Sequence, residues 1–344
     1  MVTYAILGNP GHNRVYFEES SRLALRELAV AFKKMEAQCS NIRKESIAGI
    51  GYSLFDSDRE LNDRDLQIIS WLSFGYALFK FEEMGVLRPV EKNSTNFFDT
   101  DFSSILKYSG KTNELFTRLM LSIAELSSAF YGSQEIRLLD PIAGKGTTLF
   151  EGLIRGHHVY GIEIGDKVVT ESYHFIKKYL ENKCYKHVSK TIRFSGEKKE
   201  FTVKRYQLEI GRDKKDFKEK AQKSCELISG NSLYTNQYYK KNYFHLIVGD
   251  LPYGVQHGNV AKVKSSSITR SPEELLKNCL PGWYDVLKPG GSMVLAWNTY
   301  VFPREAMVGL IKEAGFEVLE QVYEEFVHQV DRSIRRDIIV AQKQ

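Results

Sequence analysis

The sequence predicts an α/β protein in two parts: a small α+β unit over residues 1–90 and a doubly wound, mainly parallel sheet over 105–344, joined by a linker at 91–104. Three observations carry this. Beyond Ile105, short apolar runs alternate with stretches of helical periodicity, the pattern of strands joined by crossover helices. One of those runs ends in an acid and enters a glycine-rich turn, DPIAGKGTT from Asp140, the strand, loop and helix start that brings backbone close to a ligand. Between the two parts lies VEKNSTNFFDTDFSS, polar and rich in turn formers.

In the first part, TYAILG reads as a short strand. Leu25, Leu28, Ala29 and Phe32 recur at helical spacing, IAGIGYSLF reads as another strand, and Leu66, Ile69, Leu72 and Leu78 form the stripe of a second helix. In the second part, a helix near Asn113 to Ala129 buries Phe116, Leu119, Met120 and Ile123, and strands are predicted at IRLLD, HVYGIEI, CELIS, FHLIVGD, SMVLAWN, FEVLEQVYEEF and RDIIVAQ. Ser271, Pro272 and Glu274 supply an N-cap, a first-turn proline and a capping-box acid for a helix reaching about Leu287, which KPGG then ends. His157 and His158 are expected simply to start the second strand, and Trp297 to lie in the core.

Charge is unevenly spread. From His174 to Lys223 there are sixteen Lys/Arg against seven Asp/Glu, a net +9 in a chain whose total is +5, so the rest carries −4. Phe175, Tyr179, Tyr185, Phe194, Phe201 and Tyr206 are interleaved with those cations, a mixture suited to phosphate attraction and base stacking. The segment reads as a basic insertion at about 174–223. Cys39, Cys184, Cys225 and Cys279 stand far apart without companion histidines, so free thiols in a reducing cytoplasm are expected and no metal site is. Neither a signal peptide nor a membrane span is expected, because the start is not basic and the longest apolar run already contains Lys80.

The segment LLDPIAGKGTTLFEGL places Asp140 at a strand end, Gly144 and Gly146 in the turn and Thr147 at a helix start. Glu163 closes the next strand in YGIEI, where a carboxylate can accept from both hydroxyls of a ribose. The pattern fits no Walker A loop, and Leu149 stands where a dinucleotide fingerprint needs glycine or alanine. An acid at the mouth of the loop suits a cationic ligand, so the residues favour S-adenosylmethionine over a nicotinamide cofactor or a purely structural turn.

A second acid closes the fourth strand in LIVGDLPYG. An exocyclic amine on a nucleobase is a poor nucleophile, because its lone pair is delocalised into the ring. The Asp250 carboxylate and the Leu251 carbonyl can each accept one amine hydrogen, which localises that pair and stabilises the charge that develops on transfer. Pro252 constrains the backbone between these acceptors, and Tyr253 can stack on an extruded base. Carbon-5 pyrimidine chemistry would need a cysteine where Tyr253 stands.

With these residues in hand, the chain resembles the class I S-adenosylmethionine-dependent amino-methyltransferases, and within them the tRNA guanine-N2-methyltransferases that often carry an RNA-binding THUMP domain. The resemblance covers about Ile105 to the C-terminus and lies in DPIAGKGTTLFEG, YGIEI, DLPYG and LKPGG. It implies a Rossmann-like seven-stranded sheet with an antiparallel last strand. It also implies cofactor contacts from Asp140, Pro141, Ala143, Gly144, Gly146, Thr147, Glu163, Ile164, Asn231 and Ser232, and the target amine at Asp250, Leu251, Pro252 and Tyr253. KYSGKTNELF matches the element placed against the cofactor's methionine end. Where the family usually offers an acid to the adenine, this chain has Asn231, whose amide oxygen can accept instead; residues 1–90 resemble only the small ferredoxin-like part that precedes THUMP.

The expected activity is methyl transfer to guanine N2, in tRNA or another structured RNA, in the cytoplasm. The rivals are adenine N6 of DNA and, from another class, a nucleic-acid binding module with a degenerate cofactor pocket. His257, Asn259, Lys262, Lys264 and Arg270 are expected in a substrate-contacting loop, and Arg332, Arg335 and Arg336 in a solvated turn before the last strand.

Overall fold

The computed structural model describes residues 1–9, 14–82, 85–92, 96–103, 113–196, 199–253, 272–319 and 326–344. It divides into two compact units, Met1–Thr95 with Gln321–Gln329, and Asn96–Glu320 with Val330–Gln344. Residues 326–329, assigned from the sequence to the second part, thus group with the first.

The first unit runs β1 (Val2–Gly8), α1 (Arg14–Phe32), β2 (Cys39–Ile47), β3 (Ile50–Ser57), α2 (Asp63–Ser70), β4 (Gly75–Phe81) and β5 (Leu87–Val90). Its antiparallel sheet has the order β2-β3-β1-β4-β5, a ferredoxin-like β-α-β-β-α-β arrangement with one added strand. Two predicted elements change. The IAGIGYSLF segment is a hairpin, because Ala48 and Gly49 both adopt positive φ between β2 and β3. The stripe through Leu78 is broken after Ser70, and Leu78 lies in β4 opposite Ile6; apolar spacing alone does not separate a helix end from the strand that follows.

The second unit opens with a 3-10 turn at Thr100–Ser103. Phe98 and Phe102 there are fully buried, Phe102 stacks on Tyr179 at 4.2 Å, and the Phe97 amide donates to the Ile154 carbonyl at 2.7 Å. Phe98, Phe102 and Ser103 of the expected linker are therefore packed core.

There follow α3 (Glu114–Ser127), β6 (Arg137–Asp140), α4 (Thr147–Ile154), β7 (His158–Glu163), α5 (Asp166–Asn182), β8 (Lys186–Ser195), β9 (Thr202–Gly211), α6 (Lys214–Lys218), β10 (Lys223–Ser229), α7 (Thr235–Tyr238), β11 (Phe244–Asp250), α8 (Pro272–Val286), β12 (Leu287–Asn298), α9 (Arg304–Glu313), β13 (Glu317–Val318), β14 (His328–Asp331) and β15 (Ile334–Gln342). The sheet order is β13-β15-β12-β11-β6-β7-β10-β9-β8. Strands β10, β7, β6, β11 and β12 are mutually parallel, and β15 runs antiparallel between β12 and β13. Over those seven strands this is the Rossmann-like methyltransferase arrangement. The sheet is longer than the expected seven because the basic insertion folds as the β8–β9 hairpin and pairs antiparallel with β10.

Both faces of the parallel strands are covered, so they read as nearly continuous apolar runs; Leu246, Ile247 and Val248 of β11 are all fully buried. Helix α3 is capped by Asn113, whose side chain accepts from Leu115 and Phe116. It is held on α4 by buried ion pairs, Arg118 to Glu151 and Arg155 to Glu125. His157 also reaches Glu125, so it does more than start a strand. Trp297 lies in the core on β12 as expected. KPGG follows the end of α8 at Val286, as expected, and lies at the start of β12, where the Gly290 amide donates to the Lys343 carbonyl. Among the described residues of FEVLEQVYEEF, Glu317–Val318 form strand; residues 320–325 lie outside the described residues.

Candidate functional site

Register assembles the site. Asp140, the last residue of β6, is paired with Gly161 of β7, so Glu163 projects two residues beyond it on one side. On the other side Leu139 is paired with Ile247 of β11, so Asp250 also ends two residues past the level of Asp140. The three acids thus line a notch about 6–7 Å deep at the C-terminal edge of adjacent parallel strands, given the strand rise. That edge is where open α/β sheets receive ligands.

The glycine loop folds over this notch on its own backbone. The Ala143 amide donates to the Ile162 carbonyl at 2.8 Å and the Gly146 amide to the Ala143 carbonyl at 2.7 Å. Gly146 has φ +91°, which favours glycine. Gly161 lies so close beneath the loop that a Cβ there would stand 2.7 Å from Leu149 and 3.0 Å from Ala143. Leu149, which argues against a dinucleotide from the sequence, therefore packs α4 directly onto β7. Pro141, Ala143 and Thr147 are buried parts of this loop and helix start.

Asp140 is almost fully buried and accepts from the Ile142 amide at 3.1 Å. Burial pushes its carboxyl up to about 7, against hydrogen bonds from Thr148 and Ile142 that favour the charged form and alongside repulsion from Asp250 and Glu163. No cation pairs with it among the described residues. Glu163 accepts from the Gly144 amide at 3.1 Å and the Gly165 amide at 2.8 Å, which closes the loop onto the acid and leaves lone pairs for a ligand. The Gly230 amide donates to the Glu163 carbonyl at 2.9 Å and brings the end of β10 alongside. Ile164 is 48% exposed there, as is Leu233 at 40%; Leu233 is an apolar side chain at this rim that the sequence does not single out.

The third cluster changes on folding. The Asn231 side-chain oxygen, expected to face an adenine, caps the 3-10 turn Ser232–Tyr234 by accepting from the Leu233 amide at 2.9 Å. Ser232 is buried, and its hydroxyl accepts from the Trp283 indole at 3.0 Å. Its hydroxyl is thus engaged in the core, where α8 folds over it.

The DLPY segment is anchored at both ends. The Leu251 amide donates to the Ala296 carbonyl at 2.8 Å while its side chain is buried, and the Asn298 amide group donates to the Tyr253 carbonyl at 3.3 Å. Pro252 is exposed. Tyr253 does not stand as an open stacking surface: its hydroxyl donates to Asp250 Oδ1 at 2.5 Å, and Arg336 lies 5.1 Å from its ring centroid. Burial first, and then the Asp250 charge, hold its phenol well above the ordinary range.

Arg336 is not in a solvated turn. It is 5% exposed, lies on β15, and its guanidinium sits 4.2 Å from the Phe116 ring centroid. Arg336 and Asn298, which face each other across β12 and β15, are the site neighbours that sequence reading missed. An asparagine closing an apolar strand was the available signal for one of them. His257, Asn259, Lys262, Lys264, Arg270 and the cap Ser271 lie outside the described residues, as does most of KYSGKTNELF.

In the insertion, the rings expected to stack on bases have interior partners. Tyr179 and Phe175 pack on Phe102, Tyr206 on Tyr173, Phe201 on Tyr234 and Tyr238, and Tyr185 on Phe98. Phe194 packs on Phe201. Exposed cations remain, among them Lys186 and Lys190, which share one face of edge strand β8.

No family model matches the sequence, and no curated protein does. Among solved structures the chain is similar to TrmN from Thermus thermophilus, at 13% identity and TM-score 0.40, over 86% of this chain and 57% of that one. It is similar to a TehB-like SAM-dependent methyltransferase from Corynebacterium glutamicum, at 10% identity and TM-score 0.35, over 62% of this chain and 83% of that one. A SAM-dependent methyltransferase from Methanosarcina mazei aligns at 14% identity and TM-score 0.37, over 62% and 94%. The chain spans 57% of the Thermus protein's length, and likenesses this distant carry no statement about substrate. Among the described residues no helix is long and apolar enough to cross a membrane.

Proposed function

We propose that the protein is an S-adenosylmethionine-dependent methyltransferase acting on the exocyclic amine of a nucleobase, guanine N2 in tRNA, in the cytoplasm. One observation supports this above the rest: a buried acid without a cationic partner among the described residues, Asp140, lies between two strand-end acids that each project past it. A carboxyl held near 7 by burial and by like charges gains most from a cationic ligand, so the residues fit a sulfonium and an ammonium. Glu163 is placed for ribose hydroxyls, Gly144 and Gly146 let backbone approach the ligand, and Ile164 presents apolar surface to the adenine. When bound, this cofactor supplies an electrophilic methyl group. Asp250 and the Leu251 carbonyl take the two amine hydrogens of the base, and the anchors at Ala296 and Asn298 keep the backbone of those acceptors in place. A base that reaches Asp250 displaces the Tyr253 hydroxyl, which frees that ring to stack.

The test is calorimetry with S-adenosylmethionine, followed by transfer of a labelled methyl group to bulk tRNA and mass spectrometry of the nucleosides. Binding and N2-methylguanosine are expected. Label in N6-methyladenine of DNA would favour the rival substrate, and no cofactor binding would favour a binding module with a degenerate pocket. Glu163→Ala is expected to weaken the cofactor by about 1–3 kcal/mol, the worth of hydrogen bonds to a charged group, with the transfer rate at saturating cofactor little changed.

The β8–β9 hairpin is the proposed RNA contact, now by charge alone because its rings face inward. Replacing Lys186 and Lys190 together with alanine is expected to lower the slope of log affinity against log salt by about 2. An unchanged slope in a filter-binding titration would place the RNA elsewhere.

A further inference from the structure

The site holds a buried cation that the reading above does not use. Arg336 is 5% exposed, and its Nε has no hydrogen-bond partner among the described residues. Burying a guanidinium is costly without compensation. Here the compensation comes from two aromatic rings, Phe116 of α3 at 4.2 Å and Tyr253 at 5.1 Å, and from the attraction between the guanidinium and the Tyr253 phenol oxygen; a planar guanidinium stacks on rings where an ammonium cannot. The strand carrying it is fastened to the strand behind the DLPY segment: Arg336 is paired with Asn298, whose amide group donates to the Tyr253 carbonyl. Tyr253 is thus held at three points, its carbonyl by Asn298, its ring by Arg336 and its hydroxyl by Asp250.

We propose that Arg336 is a positioning residue for the amine site, fixing the plane of the Tyr253 ring so that its hydroxyl covers Asp250 until a base takes its place. Phe116 packs on the same guanidinium. The proposal rests on the methyl-transfer reading, and it separates the two functions of Tyr253. Releasing the hydroxyl exposes Asp250, while the cation beneath keeps the ring in the plane against which a base would lie.

The experiment uses the full chain with tyrosine labelled with carbon-13 at the ring carbon bearing the hydroxyl; the Tyr253 resonance is identified by its loss in Tyr253→Phe. In Arg336→Met and Arg336→Lys that resonance is expected to move toward the position of a solvated tyrosine, while the stoichiometry and affinity of S-adenosylmethionine binding are retained. With bulk tRNA as acceptor, kcat is expected to fall about tenfold in Arg336→Met with KM for tRNA little changed, and Arg336→Lys to recover only part of it. An unmoved resonance in both variants overturns the proposal, as does an unchanged kcat in an active wild type. Should Arg336→Met not fold, Arg336→Lys decides alone. A wild type that neither binds S-adenosylmethionine nor transfers methyl defeats the functional reading, and the resonance, which needs no activity, still decides the role of Arg336.

Discussion

Asp250→Ala is expected to lower methyl transfer by about 10²–10³-fold, the usual cost of removing one preorganised partner of a developing charge, while S-adenosylmethionine still binds. The reason is geometric. Asp250 closes β11 two residues beyond the level of Asp140, so its carboxylate meets the acceptor substrate instead of holding the loop. Its removal also takes away one of the repulsions that raise the Asp140 carboxyl, so cofactor affinity near pH 7 should rise slightly if it changes at all. Single-turnover transfer with saturating cofactor measures the first effect, and calorimetry the second. Equal weakening of cofactor binding by Asp250→Ala and Glu163→Ala would mean that the division of roles between the two strand ends is wrong.

Cofactor affinity is expected to weaken as pH falls through about 7. Asp140 titrates near that value in the free protein because it is buried beside Asp250 and Glu163, and a cationic ligand binds its ionised form. Between pH 8 and pH 6 the dissociation constant should therefore rise about tenfold, since roughly one carboxyl in ten is ionised at the lower pH. Asp140→Asn should bind weakly and lose this dependence. The same shift acts with the opposite sign on the empty protein. A carboxyl whose folded value is raised contributes stability that is full below its unfolded value near 4 and is lost as pH rises through about 7. The difference in melting temperature between Asp140→Asn and wild type should accordingly move in favour of the asparagine between pH 5 and pH 8. A flat binding profile over that range, measured in buffers matched for ionic strength, would contradict the assignment of Asp140 to a cation.

Much of this site is legible in the sequence because its signals are local. Asp140, Gly144, Gly146 and Glu163 sit within 24 residues that alternate strand, turn and helix. Each owes its place to its position at a strand end or a turn, which the neighbouring residues dictate. Asp250 is legible for the same reason, as a polar stop to the apolar run of β11. The parallel sheet follows from that alternation, and the antiparallel last strand from the resemblance.

The misread residues share a different property: their surroundings come from far along the chain. Ser232 reads as a cofactor contact, and only the arrival of Trp283 from α8 engages its hydroxyl in the core. Tyr206 reads as a stacking surface until Tyr173 of α5 covers it. Arg336 reads as solvated because its segment is charged, and only the meeting of α3, β15 and the segment after β11 brings it against Phe116 and Tyr253. Leu78 reads as part of a helix because spacing counts residues and does not see that β4 pairs with β1.

The amino-acid sequence by itself determined which backbone runs are strands of a parallel sheet and which acids stand at their ends, since burial on both faces and turn chemistry act over a few residues. The tertiary structure alone decided how far each acid projects, what raises the Asp140 carboxyl, and which rings and hydroxyls are already occupied. Those depend on strand register and on desolvation, and both are set by partners distant in the chain.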